Sequence, residues 1–373
     1  MNNSHSLNAI CPYFTMFPLG FPMSVLDEFD SLIDESTCVF DPFCGRGTTN
    51  FAARLKGLHT IGIDSNPVAA TIAKAKIASV TPNQIIKAAS YILKNYKAVP
   101  VPTGEFWHLA YAPQTLSDIC RIRASLLKNC ASPARVALKA IMLGALHGPK
   151  GKQSTSYFSN QAPRTYAPKP KYAVNYWTRN NLQAEDVDVL QVISKRANLY
   201  YGETLPDGYG LIVQGNSCQP HVYSTIRKNL QVQNKQIGFL ITSPPYYGLK
   251  TYMQDQWIRN WFSGGSEEIE YSTASQIKHS NVNTFTSQLN YIWNKSAMLA
   301  KNGAVMMIRF GAINSRMVSP ELVIKKSLEQ TSWDIIEIKS AGVPPKGRRA
   351  MESFGLEKKY NSIEEIDVYA VYK

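Results

Sequence analysis

A short apolar segment that leads into a turn with two glycines constrains the fold of this chain more than any other feature. Residues 37–41 have the composition of a buried strand, and residues 49–56 that follow the turn have helical spacing. A second strand is expected over residues 59–64, and Pro67 suits the first turn of another helix. Two successive strand–helix units predict an α/β fold with a doubly wound, mostly parallel sheet.

The rest of the chain divides into a helical middle and a second set of strands. Helical periodicity without a strong strand runs from 82 to 130 and returns at 134–147 and 187–198. Further strands are expected at 210–214, 237–242 and 304–310, with a helix at 287–300 and a terminal hairpin of 333–338 with 366–372. The sheet is therefore expected to contain a mainly helical insertion. The predicted domains are 1–85, the helical insertion 86–205, and 206–373.

Composition and charge narrow the classes of function. A net charge of +13 favours a polyanionic partner. None of the six cysteines forms a C-x-x-C pair, so no metal site is expected and the cysteines are interpreted as reduced thiols. The sequence has no secretory signal and no apolar run long enough to cross a membrane, which predicts a cytoplasmic protein without a membrane partner.

The turn after the first strand, DPFCGRGT at 41–48, carries the first chemical signal. Glycines there let the backbone turn tightly and approach a ligand, although a G-x-G spacing alone is a weak signal. Asp64 ends the next strand, where an acid commonly accepts hydrogen bonds from ribose hydroxyls. Capping of the following helix is the alternative role for this acid. The two features together predict an adenosine-containing ligand at the carboxyl ends of the strands.

The second chemical signal is TSPPYY at 242–247, directly after an apolar strand. A rigid turn explains the two prolines, but it does not explain the small polar residue before them or the aromatic residue after them. An exocyclic amino group on a base is a poor nucleophile because its lone pair is delocalised into the ring. Acceptors such as the Ser243 hydroxyl and the Pro244 carbonyl would localise that pair toward a methyl donor. Tyr246 would stack on a base flipped out of a duplex.

Taken together, DPFCGRG, GID and TSPPY resemble the DNA amino-methyltransferases, which make N6-methyladenine and N4-methylcytosine. The resemblance implies that the glycine turn and the following acid hold S-adenosylmethionine and that the Pro-Pro tetrapeptide holds the target amino group. Serine in its first position is typical of the N4-cytosine enzymes. The catalytic residues implied by the resemblance are Ser243, Pro244, Pro245 and Tyr246.

Other segments are similar to this family as well. Residues 11–26 resemble the segment that closes over the methionine end of the cofactor, and an apolar arm packed on the core is the alternative. Residues 215–217 resemble the turn near the adenine, where the family often has an acid that this chain lacks. The cofactor-binding residues implied by the resemblance are Tyr13, Phe17, Asp41, Phe43, Gly45, Gly47, Thr48, Asp64 and Ser217.

The expected nucleic-acid contact lies at 148–179, a stretch with no Asp or Glu and with aromatic residues between its basic ones. Basic groups there would neutralise phosphates, while a solvated loop over packed aromatics is the alternative. The nucleic-acid-binding residues predicted from this stretch are Lys150, Lys152, Arg164, Lys169, Lys171 and Arg179.

The first hypothesis is site-specific N4-cytosine methylation of duplex DNA, with base flipping, in a restriction–modification system. The resemblance also implies an enzyme that acts as a monomer, with 1–85 as its cofactor-binding half, 86–205 as its candidate target-recognition region and 206–373 as its catalytic half. Adenine N6 is the next target, a tRNA guanine-N2 methyltransferase is a third possibility, and an inactive nucleic-acid-binding module is the alternative outside enzymes. Methylation of cytosine C5 is disfavoured, because the chain has no Pro-Cys dipeptide to supply the cysteine nucleophile.

Overall fold

A computed structural model describes most of the chain. The described residues are 5–12, 18–148, 156–159, 169–247, 256–269, 281–311, 318–342 and 365–373. None of the described helices combines the length and the apolarity needed to cross a membrane. No disulfide joins the six cysteines, all of which lie in described residues.

Helices and strands alternate along much of the chain. The helices are α1 Gly20–Glu28, α2 Thr48–Leu55, α3 Pro67–Ile77, α4 Pro82–Asn95, α5 Glu105–Ala110, α6 Pro113–Lys128, α7 Pro133–Ala145, α8 Pro170–Arg179, α9 Val189–Tyr201, α10 Pro220–Gln233, α11 Trp257–Phe262, α12 Val282–Ala297 and α13 Pro320–Leu328. The strands are β1 Thr37–Asp41, β2 His59–Asp64, β3 Tyr209–Gln214, β4 Gln236–Thr242, β5 Ala300–Gly311, β6 Trp333–Gly342 and β7 Glu365–Tyr372.

The chain forms two compact units. One unit contains the whole sheet and comprises residues 13–73, 206–251 and 274–373. The other is helical and comprises residues 1–12, 74–205 and 252–273. The helical unit thus includes a segment from the N-terminus and a segment after β4, in addition to the middle of the chain. The cofactor, recognition and catalytic roles assigned to the three predicted domains stay a prediction.

The sheet has seven strands in the order β3-β2-β1-β4-β5-β7-β6. The five strands from β3 to β5 pair in parallel, whereas β7 pairs antiparallel with both β5 and β6. Chain order reverses between β1 and β4, which is the switch point where doubly wound sheets bind ligands. The predicted α/β, doubly wound and mostly parallel sheet is confirmed, and the fold is Rossmann-like.

Side chains alternate between the two faces of the sheet, as the period of two in a strand requires. On one face Phe40 and Leu240 belong to a core cluster with residues of α10, α12 and α13. On the other face Val39, Phe239 and Ile241 pack with residues of α1 and α2. Burying each such side chain stabilises the fold by roughly 1.5–3 kcal/mol. Helices therefore cover both faces and hold the central strands in place.

The helical unit is organised around stacked aromatic side chains. Trp107 of α5 lies against Trp261 of α11, with ring centroids 4.5 Å apart. Phe106 contacts Trp177 of α8 at 5.3 Å and Trp257 of α11 at 4.8 Å. All five tryptophan and phenylalanine residues named here are buried. Aromatic packing thus fixes α8 and α11 on the short helix α5.

Several elements differ from those predicted. Helix α8 lies in the basic stretch 148–179, where no helix is predicted from the sequence, and its Pro170 occupies the first turn, where proline is tolerated. Helix α10 was not predicted, because only four of its fourteen residues are buried and its apolar positions are sparse. The predicted pairing of β6 with β7 is confirmed, but β7 lies between β5 and β6.

The carboxyl ends of the two central strands are joined by a buried hydrogen bond. The Thr242 hydroxyl at the end of β4 donates to Asp41 Oδ1 at the end of β1, over 2.6 Å. The same carboxylate oxygen accepts from the Phe43 backbone N–H at 3.0 Å, while Oδ2 is buried without a hydrogen-bond partner. Burial raises the pKa of Asp41 to about 6, although these hydrogen bonds oppose the shift. The charged form of Asp41 is therefore costly in the folded state.

We expect Asp41→Asn to remove a pH dependence from stability. A folded-state pKa above the unfolded value means that stability is highest below about pH 4 and falls as the pH rises through 6. Between pH 4 and 7 the free energy of unfolding should fall more in the wild type than in the variant, by roughly 2–3 kcal/mol. Urea unfolding followed by circular dichroism measures this difference.

The matched control is Asp34→Asn, for which the sign is opposite. Hydrogen bonds from Lys301, Ser36 and Thr37 hold the pKa of Asp34 well below its usual range. Its contribution is therefore almost fully present at both pH 4 and pH 7 and is lost only as the pH falls below 4, so Asp34→Asn should lower stability at both pH values and leave the slope between them close to that of the wild type. Equal pH slopes for wild type and Asp41→Asn would contradict the assignment of a raised pKa to this buried acid.

Candidate active site

The glycine turn between β1 and α2 has two glycines with different tasks. Gly45 and Gly47 both adopt a left-handed backbone, with φ of +50° and +71°. A Cβ added to Gly47 would lie 2.7 Å from the Ala73 Cβ and 2.8 Å from its Cα, so this glycine lets two backbones approach. A Cβ added to Gly45 would meet nothing within 4 Å, so the turn leaves open space there.

The acid at the end of β2 is bound to this turn. Asp64 Oδ2 accepts from the Gly45 N–H at 3.0 Å, and Oδ1 accepts from the Asn66 N–H at 2.8 Å. Burial raises the pKa of Asp64 to about 6 against the effect of these two bonds. Each carboxylate oxygen keeps a lone pair for a further donor. The alternative role of Asp64 in capping also has support, because it bonds Asn66 ahead of α3.

The turn after β3 joins the same edge of the sheet. The buried Ser217 hydroxyl donates to the Pro42 carbonyl of the glycine turn over 2.5 Å. Phe43 lies edge-on to Trp293 of α12, with ring centroids 6.2 Å apart. Thr48 is buried at the first position of α2. The structure thus brings together the predicted residues of the first, second and third strand ends.

The Pro-Pro tetrapeptide follows β4 at this edge. Ser243 and Tyr246 are partly exposed, Pro244 is buried and Pro245 is exposed. The Tyr246 ring lies edge-on to Phe310 of β5, with centroids 5.9 Å apart. A small hydroxyl and an aromatic ring therefore reach the surface from a rigid backbone that follows the buried strand.

The hydrogen bond between Thr242 and Asp41 connects the two motifs directly. Asp41 is the first residue of the glycine turn, and Thr242 immediately precedes Ser243. The Thr49 hydroxyl of α2 also donates to the Ile241 carbonyl over 3.2 Å. Neither threonine was predicted as a site residue. Position alone offered a signal for Thr242, since it is the residue between the strand and the tetrapeptide.

A pocket of about 430 Å³ opens beside the turn after β3. It is lined by Cys218, which follows Ser217, and by residues 283–291 of α12. Among these, Gln288 Oε1 and the Tyr291 hydroxyl are buried without a hydrogen-bond partner. Buried polar atoms in that condition are costly unless a ligand or water completes them. Sequence reasoning did not find these residues, because no motif marks them.

Part of the predicted nucleic-acid segment forms a basic helix face. Lys171, Asn175 and Arg179 of α8 are exposed and lie four residues apart, on one side of the helix. Lys169 precedes the helix and is exposed as well. Ala173 and Trp177 form the buried side. Helix α8 therefore presents positive charge to solvent while tryptophan packing holds it.

Some predicted site residues lie outside the described residues, and nothing is added to their prediction. They are Tyr13, Phe17, Lys150, Lys152 and Arg164. Within the described part of the chain, no group of three or more histidine, cysteine, aspartate and glutamate side chains could hold a metal ion.

Two of the solved structures similar to this chain are methyltransferases of low sequence identity. An rRNA methyltransferase, aviRa from Streptomyces viridochromogenes, is 12% identical with a TM-score of 0.36, over 99% of this chain and 92% of that chain. A SAM-dependent methyltransferase from Methanosarcina mazei is 8% identical with a TM-score of 0.34, over 92% and 96%. The fold assignment rests on the strand order and pairing of the sheet itself.

The family comparison concerns the N-terminal part of the chain. No curated protein matches the chain. Residues 2–75 match the N6_N4_Mtase family model, described as DNA methylase. This segment includes β1, the glycine turn, β2 and Asp64. This part of the chain is thus similar to the DNA methylase family, in agreement with the resemblance of its motifs.

Proposed function

We propose that this protein is a site-specific DNA methyltransferase that transfers a methyl group from S-adenosylmethionine to the exocyclic N4 of cytosine in duplex DNA. The observation that carries this proposal is the buried hydrogen bond between Thr242 and Asp41. It fixes the start of the tetrapeptide beside the start of the glycine turn, so that methyl donor and acceptor amine meet at one edge of the sheet. A modification enzyme paired with a restriction nuclease is the proposed biological setting.

The tetrapeptide activates the amino group in this proposal. The Ser243 hydroxyl and the Pro244 carbonyl accept hydrogen bonds from the two N–H groups and localise the nitrogen lone pair. These two acceptors would direct the lone pair toward the methyl group that S-adenosylmethionine would supply, and one amino proton would leave along one of these hydrogen bonds to solvent. Tyr246 stacks on the base after it has left the duplex.

The residues present fit S-adenosylmethionine, which supplies an electrophilic methyl group when it is bound. The open space at Gly45 admits a ligand against the backbone, and Asp64 keeps lone pairs for ribose hydroxyls. The pocket beside Cys218 offers the Gln288 oxygen to the amino group of adenine. We propose that Gln288 takes the place of the acid that the family often has after β3.

The basic face of α8 is the proposed contact to the DNA backbone. Lys171 and Arg179 are eight residues apart, about 12 Å along the helix, so both can neutralise phosphates of one strand. The net charge of +13 supports a polyanionic substrate. Exposed Asn175 between the two cations offers a donor and an acceptor to base edges or phosphates.

Adenine N6 is the second target. The family model that matches residues 2–75 covers methylases of both amino groups. Both bases present an exocyclic amine, and the same acceptors suit either one. Ser243 in the first position of the tetrapeptide favours cytosine.

Substitutions at the two glycines of the turn should distinguish an effect on folding from an effect on cofactor binding. Gly47→Ala should lower the free energy of unfolding by about 2–5 kcal/mol, because a left-handed conformation and a clash with Ala73 add together. Gly45→Ala should cost only about 1–2 kcal/mol and weaken S-adenosylmethionine binding at least tenfold. Calorimetry and urea unfolding measure the two effects. An unchanged Kd in Gly45→Ala would mean that the cofactor lies elsewhere.

The target base is identified by mass spectrometry of nucleosides from genomic DNA treated with the enzyme and S-adenosylmethionine. We expect N4-methyl-deoxycytidine from the wild type. Ser243→Ala should lower kcat by roughly 10²–10³-fold and leave cofactor affinity nearly unchanged, because it removes one acceptor. Ser243→Asn keeps an acceptor oxygen and is the control that should retain more activity. N6-methyl-deoxyadenosine would redirect the base assignment, and full activity of Ser243→Ala would exclude this active site.

The role of α8 is tested through the salt dependence of binding to duplex DNA. Replacing Lys171 and Arg179 by Ala should lower the slope of log Kd against log salt by about 1.8, because two phosphate contacts are lost. Replacing Arg227 and Lys228, which are exposed on α10, by Ala removes the same charge and should change the slope less. Fluorescence anisotropy measures both, and equal slopes for the two variants would argue against a contact at α8.

A further inference from the structure

The tyrosine of the tetrapeptide is fixed at its hydroxyl by an acid that is distant in sequence. Tyr246 donates to Glu365 Oε1 over 2.5 Å, across 119 positions of the chain. Glu365 is the first residue of β7 and is only 2% exposed. Its backbone lies opposite Gly311 of β5 and Gly342 of β6, at the end of both ladders. The position of the Glu365 backbone, which carries the acceptor carboxylate, is therefore fixed by pairing among three strands of the sheet.

An ion pair between β5 and β7 lies near this acid. Asp367 lies two residues further along β7, on the same side of the strand, and binds Arg309 of β5 in a two-pronged ion pair at 2.7 and 2.6 Å. The Arg309 guanidinium covers the ring of Phe21 at 4.0 Å. A hydrogen bond to a buried acid in such a framework is stronger and more directional than one to a neutral group.

We infer that Glu365 is a positioning residue that orients the ring of Tyr246 for the base. This inference rests on the proposed function, in which Tyr246 stacks on the flipped base. The ring has one edge against Phe310 and its hydroxyl on Glu365, while part of it remains exposed. These two contacts fix the plane of the ring before any base binds. The conformational entropy of the Tyr246 side chain is therefore already lost in the free protein and is not lost again when the base stacks.

A double-mutant cycle with Tyr246→Phe and Glu365→Ala tests the inference. Each single variant should lower kcat about tenfold, and the double variant should be no slower than either one, because Glu365 acts through the Tyr246 hydroxyl. Glu365→Gln keeps an acceptor oxygen and should restore kcat to within about threefold of wild type. The Kd for S-adenosylmethionine should stay unchanged throughout. Additive losses in the double variant would overturn the inference.

Asp367→Asn is the matched control in the same strand. It weakens the neighbouring ion pair without touching Tyr246, so it should lower stability and leave kcat nearly unchanged. If Glu365→Ala does not fold, Tyr246→Phe still decides the matter, because it removes the same hydrogen bond and leaves the acid in place. A kcat of Tyr246→Phe equal to wild type would overturn the inference.

A spectroscopic measurement without DNA separates this inference from the proposed function. The protein is labelled with 3-fluorotyrosine at its 20 tyrosines, and the Tyr246 resonance is assigned by its loss in Tyr246→Phe. That resonance should shift and broaden in Glu365→Ala but not in Glu365→Gln or Asp367→Asn. An unaltered resonance in Glu365→Ala would overturn the inference. If the wild type does not methylate DNA and the resonance responds as expected, the proposed substrate fails while the fixed ring stands.

Discussion

The hydrogen bond from Thr242 to Asp41 is the interaction on which the site depends. It is buried, it joins the carboxyl ends of the two central strands, and the chain order of the sheet reverses at that point. Asp41 also holds the Phe43 N–H, so the same carboxylate shapes the glycine turn and anchors the tetrapeptide. An acid with its pKa raised by burial is costly to keep there. The cost is understandable if the geometry of both motifs depends on it.

Close backbone approach is the second constraint on this edge. Gly47 lies against Ala73 and Gly62 against Cys44, in each case with less than 3 Å for an added Cβ. These glycines set the spacing of α2, α3 and the turn, whereas Gly45 leaves space unfilled. One short turn thus uses glycine in two ways, for packing at Gly47 and for access at Gly45. The distinction depends on neighbours in space, and a G-x-G spacing in sequence does not contain it.

The sequence was most informative where local pattern and burial agree. The bounds of β1 and β2 follow from apolar runs that end in polar or glycine residues, and both strands are central and buried. Prediction was poorest for α10, which shows a sparse apolar stripe, and for the place of β7, which depends on pairing between distant segments. The motif residues could be predicted for the same reason as β1, because both motifs directly follow an apolar run. Glu365 could not be predicted as a site residue, because its partner Tyr246 lies far away in sequence, and Gln288 could not, because no motif marks it.

The two units place different demands on their residues. At the carboxyl edge of the sheet, small shifts of side chains change the geometry of the site. Each group named there is held by a strand end and at least one buried hydrogen bond or aromatic contact. In the proposed function, helix α8 needs only to present positive charge. Its buried side, formed by Ala173 and Trp177, is enough to hold it. Changes of the exposed residues of α8 should therefore leave folding intact, whereas changes at the sheet edge affect folding and chemistry together. In the proposed function, DNA contacts can therefore vary on this helix without loss of the geometry at the sheet edge.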